Sequence, residues 1–242
     1  MPTSDPDAGD PTPVVVIGAE GRLGRHACAL LESQGRFRLA ARYSRGGWDE
    51  AMLRGSGARL GLDLTVAGLG AAHGLALLRA GLRPVIGTSG VSPEETAELD
   101  AAARDLGLGG LVVPNFSAGS WLLQRAAEEA ARFFPRSAIV ESHHEGKRDA
   151  PSGTARETAD RMAAARGLDV VEDVPIHSLR LPGVLANQEV VFGGRGEVLR
   201  LRHETYGLEC YDSGLLSALR YAEDAVGVGR GVGLAFERHG FL

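Results

Sequence analysis

The chain has 242 residues, 44% of them apolar and 24% charged, with a formal net charge of −5 and only two cysteines. That make-up excludes several classes: there is no basic excess to grip nucleic acid, no disulfide framework or cysteine metal spacing, and no apolar run of the roughly 18 residues needed to span a bilayer. A soluble cytoplasmic protein with a small-molecule partner is the expectation that follows, without a membrane or nucleic-acid role.

Residues 1–12 are acidic and proline-rich, without the basic start or apolar core of a signal peptide, and are expected to form a disordered tail. From Pro13 onward, short β-branched runs alternate with amphipathic ones. VVVIG (Val14 to Gly18) reads as a buried strand, RLGRHACALLESQG as a helix ending at Gly35, and FRLAARY as a second strand. LGLDLTVAG and PVIGTSG follow as strands, with the helical AAHGLALLRAG between them. In SPEETAELDAAARDLG, Ser92 as N-cap, Pro93 in the first turn and Glu95 as capping-box partner predict a helix that stops at Gly107. LVVPN (Leu111 to Asn115) is a further strand. Strands alternating with helices imply right-handed βαβ crossovers, hence an α/β fold with a Rossmann-type, doubly wound parallel sheet.

Beyond NFSAGSWLLQRAAEEAARFF, read as a linking helix, the rhythm changes. SAIVESHH, PIHSLRL, QEVVFGG and EVLRLRHETY read as strands with a single helix, SGTARETADRMAAARG, inserted among them. Strands in succession predict a second domain of α+β type with a mixed or antiparallel sheet. SGLLSALRYAEDAVG is read as the final helix, able to pack on either domain.

Two stretches carry chemistry. GAEGRLGR places Gly18, Gly21 and Gly24 between the first strand and the first helix. Glycines there permit a tight turn and let the backbone approach a pyrophosphate, which the helix N-terminus attracts through its free N–H groups and dipole. The bland alternative is a tight turn alone. An acidic residue at the end of the second strand would bind the ribose 2′-hydroxyl of NAD, but this chain has Arg42, Ser44 and Arg45 there and no carboxylate before Asp49. That setting suits a 2′-phosphate, so NADPH is the expected preference, with NADH tolerated.

The second stretch is ESHHEGKRDAPSGTA, Glu141 to Ala155. One reading is a metal site, since Glu141, His143 and Glu145 would share a strand face; Lys147 and Arg148 beside the cation oppose it. Another is a strand end followed by a polar loop and a helix cap. The third joins the pieces: Ser152 as N-cap, with Gly153 and Thr154 in the first turn, offers N–H groups and hydroxyls to a carboxylate. Lys147 supplies a charge and a proton donor, and a histidine exchanges protons near neutral pH. Paired with a nicotinamide, this third reading describes hydride transfer coupled to protonation of an anionic substrate.

ESHHEGKRDAPSGTA closely resembles the signature of the 4-hydroxy-tetrahydrodipicolinate (dihydrodipicolinate) reductase family of diaminopimelate and lysine biosynthesis. VVVIGAEGRLGR resembles that family's nucleotide loop, VIGTSG its G-T-T-G loop, VPNFSAG its N-F-S segment, and IHSLRLPGVLANQEVVFGG its later strands. The resemblance implies a dinucleotide-binding domain of residues 13–116 and 215–242, a substrate-binding and oligomerisation domain of residues 117–214, and a homotetramer. It implies that His143 is the catalytic acid/base and Lys147 the proton donor, with His144, Lys147, Gly153 and Thr154 at the substrate, a small dicarboxylate. On the cofactor side it implies Gly18 to Gly24 with Arg22 and Leu23, then Gly87, Thr88 and Ser89 near the nicotinamide ribose, and Asn115 and Phe116 beneath the nicotinamide. The implied reaction is hydride delivery from NAD(P)H to C4 of the ring and protonation at C3.

Three positions depart from the pattern. Ser89 replaces the second threonine of the loop, Tyr43 stands near the missing acidic residue, and Leu208 falls where the family usually carries arginine. A catalytically silent nucleotide sensor on the same fold, or a reductase of another cyclic imine carboxylate, are the alternatives. The intact His143, Lys147 and Ser152–Thr154 set argues against the sensor, whereas pocket shape rather than motif decides between cyclic imines.

Overall fold

A computed structural model describes residues 10–44, 46–167 and 174–240. In chain order the elements are β1 (Thr12–Ile17), α1 (Arg22–Ser33), β2 (Phe37–Tyr43), α2 (Glu50–Gly55), β3 (Leu60–Asp63), α3 (Gly70–Arg79), β4 (Arg83–Ile86), α4 (Pro93–Asp105) and β5 (Gly109–Val112). They continue with α5 (Ala118–Ala131), β6 (Arg136–His143), α6 (Gly153–Ala165), β7 (Ile176–Arg180), β8 (Ala186–Gly194), β9 (Glu197–His203), α7 (Asp212–Asp224), β10 (Gly227–Arg230) and α8 (Gly233–His239). The chain divides into one unit running to Phe116 and resuming at Tyr211, and a second unit, Ser117–Cys210.

The first unit holds a six-stranded sheet ordered β10-β5-β4-β3-β1-β2, with every pair parallel. Val14 to Ile17 of β1 are wholly buried, because a parallel strand covered by helices on both faces reads as a continuous apolar run. One layer of core joins Val15, Ile17, Leu53, Leu77 and Leu82, and another joins Leu78, Ile86, Leu99, Val112 and Val228. The strand order reverses at β1, with β2 on one side and β3 on the other. In such sheets the crevice at the carboxyl ends of those strands is where ligands bind. The capping box expected at Ser92 and Glu95 is formed in both directions.

Several expectations are revised. Thr12, placed in the tail, already belongs to β1, pairs with Phe37 and is largely buried; the rest of the tail up to residue 9 lies outside the described residues. β3 stops at Asp63 instead of running to Gly68, because the Thr65 N–H leaves the ladder for the Thr88 hydroxyl at 3.0 Å. The helix at Asp212–Asp224 is not the last element, since β10 and α8 follow it. β10 is the glycine-rich GVGR, with no β-branched run to announce it, and it exists because Val228 and its neighbours pair with β5 and the Val228 N–H reaches Asp100 at 2.8 Å. α2 was also unannounced; Asp49 caps it by accepting from Met52 N at 2.7 Å.

The second unit holds a mixed sheet ordered β7-β6-β8-β9, with β6–β7 parallel and the other pairs antiparallel. Leu123 and Ala127 of α5 and Ala159 and Met162 of α6 pack with Ile139, Val190 and Phe192 of the sheet. Along β6 the buried positions alternate, Ser137, Ile139 and Glu141, as expected of a strand with one face covered. A carboxylate thus occupies a core-facing slot, one step before His143. Among the described residues, no helix is long and apolar enough to cross a membrane.

In the first unit, α7 begins hard against the end of the linker from β5. A Cβ on Gly214 would lie 1.8 Å from the Phe116 carbonyl oxygen, whereas one on Gly35 would meet nothing within 4 Å. Gly214→Ala is therefore expected to lower stability by about 3 kcal/mol in urea denaturation, against less than about 0.5 kcal/mol for Gly35→Ala; equal midpoints for the two variants would refute this packing.

Candidate active site

The nucleotide turn follows from close backbone approach. Gly18 adopts φ +84°, and a Cβ there would lie 2.7 Å from the Leu64 carbonyl oxygen, so the turn sits directly on the end of β3. The N–H groups of Gly18 and Ala19 both donate to the Tyr43 carbonyl, at 2.8 and 3.1 Å, which ties the turn to the end of β2. Gly21 is the N-cap of α1 with no side-chain cap, and Arg22 and Leu23 are the first helical residues. A Cβ on Gly24 would lie 2.1 Å from the Gly18 carbonyl oxygen. The result is a backbone cradle at a helix N-terminus, at the point where the strand order reverses, and it fits a dinucleotide pyrophosphate.

Around that turn, Arg42 is ion-paired with Glu32 of α1, both side chains about half exposed. Arg45 lies outside the described residues. The loop after β4 is braced from below: Thr88 is buried, donates to Asp63 Oδ2 at 2.6 Å and accepts from Thr65 N at 3.0 Å. Asp63, fully buried, also receives the Thr65 hydroxyl at 2.8 Å and contacts His73 Nδ1 at 3.1 Å. The Thr88 hydroxyl is thus committed inward, leaving exposed Ser89 and the loop backbone to face outward. The Phe116 ring packs against Gly87, where a Cβ would meet it at 2.5 Å, and half-buried Asn115 stands beside it. Gly87, Thr88 and Phe116 are therefore brought together. Asp63 was not singled out from sequence; a lone carboxylate inside the apolar LGLDL was the available signal.

In the second unit, β6 delivers Glu141 and His143 to the same face. Glu141 is fully buried, and its Oε2 lies 2.5 Å from His143 Nδ1. Arg180, which pairs with His143 in the parallel β6–β7 register, donates to both Glu141 oxygens at 3.0 Å. Glu141 Oε1 also accepts the Ser152 N–H at 3.1 Å. Arg180 reaches further, donating to the carbonyls of Lys147 at 3.2 Å and Asp149 at 2.5 Å. Asp149 in turn holds the Lys147 ammonium at 2.8 Å, which gives that residue an orienting contact. Half-buried His144 opens the turn, its carbonyl accepting the Lys147 N–H at 3.1 Å.

The helix that follows is anchored from behind. Ser152 caps α6 by accepting the Ala155 N–H at 3.2 Å, after a cis Ala150–Pro151 peptide. The Thr154 carbonyl accepts the Thr158 hydroxyl at 2.8 Å, and Thr158 Oγ1 is met by Gln188 at 2.8 Å and Gln124 at 3.3 Å. The N–H groups of Gly153 and Thr154 have no carbonyl partner within the helix, and a Cβ on Gly153 would meet nothing within 4 Å. A helix N-terminus with polar bracing behind and open space in front can hold a carboxylate.

The charges are arranged accordingly. Burial by itself would raise the Glu141 pKa, but Arg180, Ser178 and His143 outweigh it and hold the carboxyl at about 2. Burial pushes the His143 pKa below its ordinary value; Glu141 opposes this, while Lys147 and Arg180 push the same way as burial. The Lys147 ammonium draws the Asp149 carboxyl below the usual range. Burial also lowers the pKa of His203, whose Nε2 lies 3.2 Å from the Ser117 hydroxyl. Leu208 opens a half-buried 3₁₀ turn, Leu208–Tyr211.

Arg180 and the anchoring role of Glu141 escaped the sequence reading. Glu141 stood out only as a candidate metal ligand, and Arg180, thirty-nine residues away, reaches it through strand pairing. The cradle leads to one expected outcome: Gly24→Ala weakens binding of NADH and NADPH alike by about 10-fold or more in fluorescence titrations, a loss of at least about 1.4 kcal/mol.

Comparison with known proteins agrees with this geometry. Residues 12–116 match the family described as dihydrodipicolinate reductase, N-terminus, and residues 119–231 match dihydrodipicolinate reductase, C-terminus. The 4-hydroxy-tetrahydrodipicolinate reductase of Symbiobacterium thermophilum is 38% identical over 233 residues, covering 87% of this chain and 92% of the relative. That of Legionella pneumophila is 39% identical over 223 residues, covering 86% and 92%. Among solved structures, dipicolinate-bound dihydrodipicolinate reductase from Paenisporosarcina sp. TG-14 superposes with a TM-score of 0.78 at 27% identity, covering 92% of this chain and 98% of that one. With its two units, its glycine cradle and its His143–Lys147 loop, the chain belongs to the dihydrodipicolinate reductase family.

Proposed function

We propose that this enzyme reduces 4-hydroxy-tetrahydrodipicolinate to tetrahydrodipicolinate with NAD(P)H, in diaminopimelate and lysine biosynthesis. The observation that carries the reading is the convergence, within fifteen residues of the second unit, of His143, a Lys147 ammonium held by Asp149, and a braced helix N-terminus at Ser152–Thr154. When bound, the dihydronicotinamide supplies a hydride to C4 of the ring, from which the 4-hydroxyl has left as water, and C3 takes up a proton.

The chain's own residues bind, orient and protonate. Gly18, Gly21, Arg22, Leu23 and Gly24 hold the pyrophosphate, and Gly87, Thr88, Ser89, Asn115 and Phe116 border the nicotinamide side. The Gly153 and Thr154 N–H groups and the Lys147 ammonium take the substrate carboxylates, with His144 beside them. Lys147 and His143 manage the proton. A carboxylate-bearing ring suits this set because helix N–H groups favour anions and the ammonium adds a charge-assisted bond.

NADPH is the favoured reductant in this reading. The end of β2 carries Arg42 and Tyr43 and no carboxylate to clash with a 2′-phosphate. The Arg42–Glu32 pair is exposed on both sides, and such pairs contribute only ~0–1 kcal/mol, so a phosphate can displace Glu32 at little cost. A cytoplasmic homotetramer, with residues 13–116 and 215–242 carrying the cofactor and 117–214 the substrate, completes the proposal.

The test is NADPH oxidation with freshly made product of the preceding synthase. Wild type should turn over this substrate, and His143→Ala and Lys147→Ala should each lower kcat by about 10²–10⁴-fold while the Kd for NADPH stays within about twofold. Rapid reduction of other cyclic imines with none of this substrate would overturn the substrate assignment. Tighter binding of NADH than NADPH in parallel titrations would overturn the cofactor preference.

A further inference from the structure

His143 ends β6, Lys147 lies on the loop that follows and the Ser152–Thr154 turn opens α6, and the groups that hold all three lie beneath them. Glu141 takes four hydrogen bonds from three residues of the second unit, Arg180 on both oxygens, His143 Nδ1 on Oε2 and the Ser152 N–H on Oε1, and Ser178 adds a further contact. A carboxylate accepts hydrogen bonds and gives none, so the hydrogen of the 2.5 Å contact resides on His143 Nδ1. A neutral imidazole protonated at Nδ1 carries its lone pair on Nε2, on the far side of the ring.

We infer that Glu141, backed by Arg180, is a positioning residue for the reduction: it holds His143 in the Nδ1–H form, so that Nε2 meets the substrate as an acceptor and Lys147 is left as the proton donor. In that division an Nζ–H bond of Lys147 breaks as the C3–H bond forms, and solvent returns the proton to the amine. Arg180 serves the donor half, since it fixes the Lys147 and Asp149 carbonyls while the Asp149 carboxylate holds the ammonium. Glu141 serves the acceptor half and also pins the Ser152 end of the carboxylate cradle. One ion pair, its carboxylate buried and its guanidinium partly so, thus sets the accepting nitrogen, the donating nitrogen and the anion site together.

The charged groups around His143 are Glu141 on its own strand, Arg180 on β7, and Lys147 with Asp149 on the loop. Of these, Glu141 raises the imidazole pKa, against burial, Lys147 and Arg180. Neutralising Glu141 therefore shifts the His143 titration to lower pH and releases the ring to protonate at Nε2.

The inference rests on the role proposed for His143, so His143→Ala is measured alongside. Long-range ¹⁵N–¹H correlation spectra of the full-length enzyme should show His143 protonated at Nδ1 and bare at Nε2. Glu141→Gln should lower kcat by about 100-fold with KM for NADPH within about threefold, and Glu141→Asp, which keeps the charge, should recover about tenfold of that loss. The kcat–pH limb assigned to His143 should move to lower pH in Glu141→Gln, a change that loss of packing alone would not produce. If Glu141→Gln fails to fold, the wild-type spectrum and Glu141→Asp decide. A wild-type His143 protonated at Nε2, or a folded Glu141→Gln with normal kcat and pH profile beside an inactive His143→Ala, overturns the inference. A fully active His143→Ala instead overturns the role given to His143 in the proposed function.

Discussion

The second unit is organised around one buried carboxylate. Taking a carboxylate and a guanidinium out of water is expensive, and the attraction between them offsets that cost only when the geometry is good and the remaining lone pairs are satisfied. Glu141 meets both conditions, with two 3.0 Å bonds from Arg180 and further bonds from His143 and the Ser152 N–H. Breaking such a pair from one side typically costs about 3–5 kcal/mol, because the other charge is left buried and alone. What the arrangement secures is a fixed relation between a strand end, a loop and a helix start that have no reason in local propensity to meet.

The first unit solves a similar problem in a similar way. Asp63, at the end of β3, is fully buried and gathers Thr65, His73 and Thr88, so that the loop after β4 is held on the sheet. In both units a strand carries a carboxylate near its carboxyl end, and that carboxylate fixes a turn of small residues. The parallel pairings of β3 with β4 and of β6 with β7 make this possible, since parallel strands bring their carboxyl ends side by side.

In the function proposed above, the two units divide the chemical labour according to their local structure. Where β1 passes into α1, close backbone approach removes every side chain from Gly18, Gly21 and Gly24 and leaves N–H groups to meet an anion. Where β6 passes into α6, the intervening loop is longer and carries the titratable groups, and the same helix-terminus physics is combined with a proton donor. A reductase of an anionic ring needs both kinds of site.

Much of this was legible in the linear chain. The alternation of apolar runs, the capping box at Ser92 and Glu95, the glycine spacing after the first strand and the ESHHEGKRDAPSGTA signature are local patterns, and local patterns survive in a string because their causes act over a few residues. The short elements did not show: GVGR of β10 and EAMLRG of α2 have little propensity of their own and form where β5 and the Asp49 cap receive them. The chain order of chemical groups, His143, Lys147 and the Ser152 turn, was determined by sequence alone. Which nitrogen of His143 carries the proton and why a glutamate lies in the core were decided only when the β6–β7 pairing brought Arg180 across thirty-nine residues to Glu141. Buried charges acquire their meaning from partners, and partners distant along the chain are assigned by the tertiary fold.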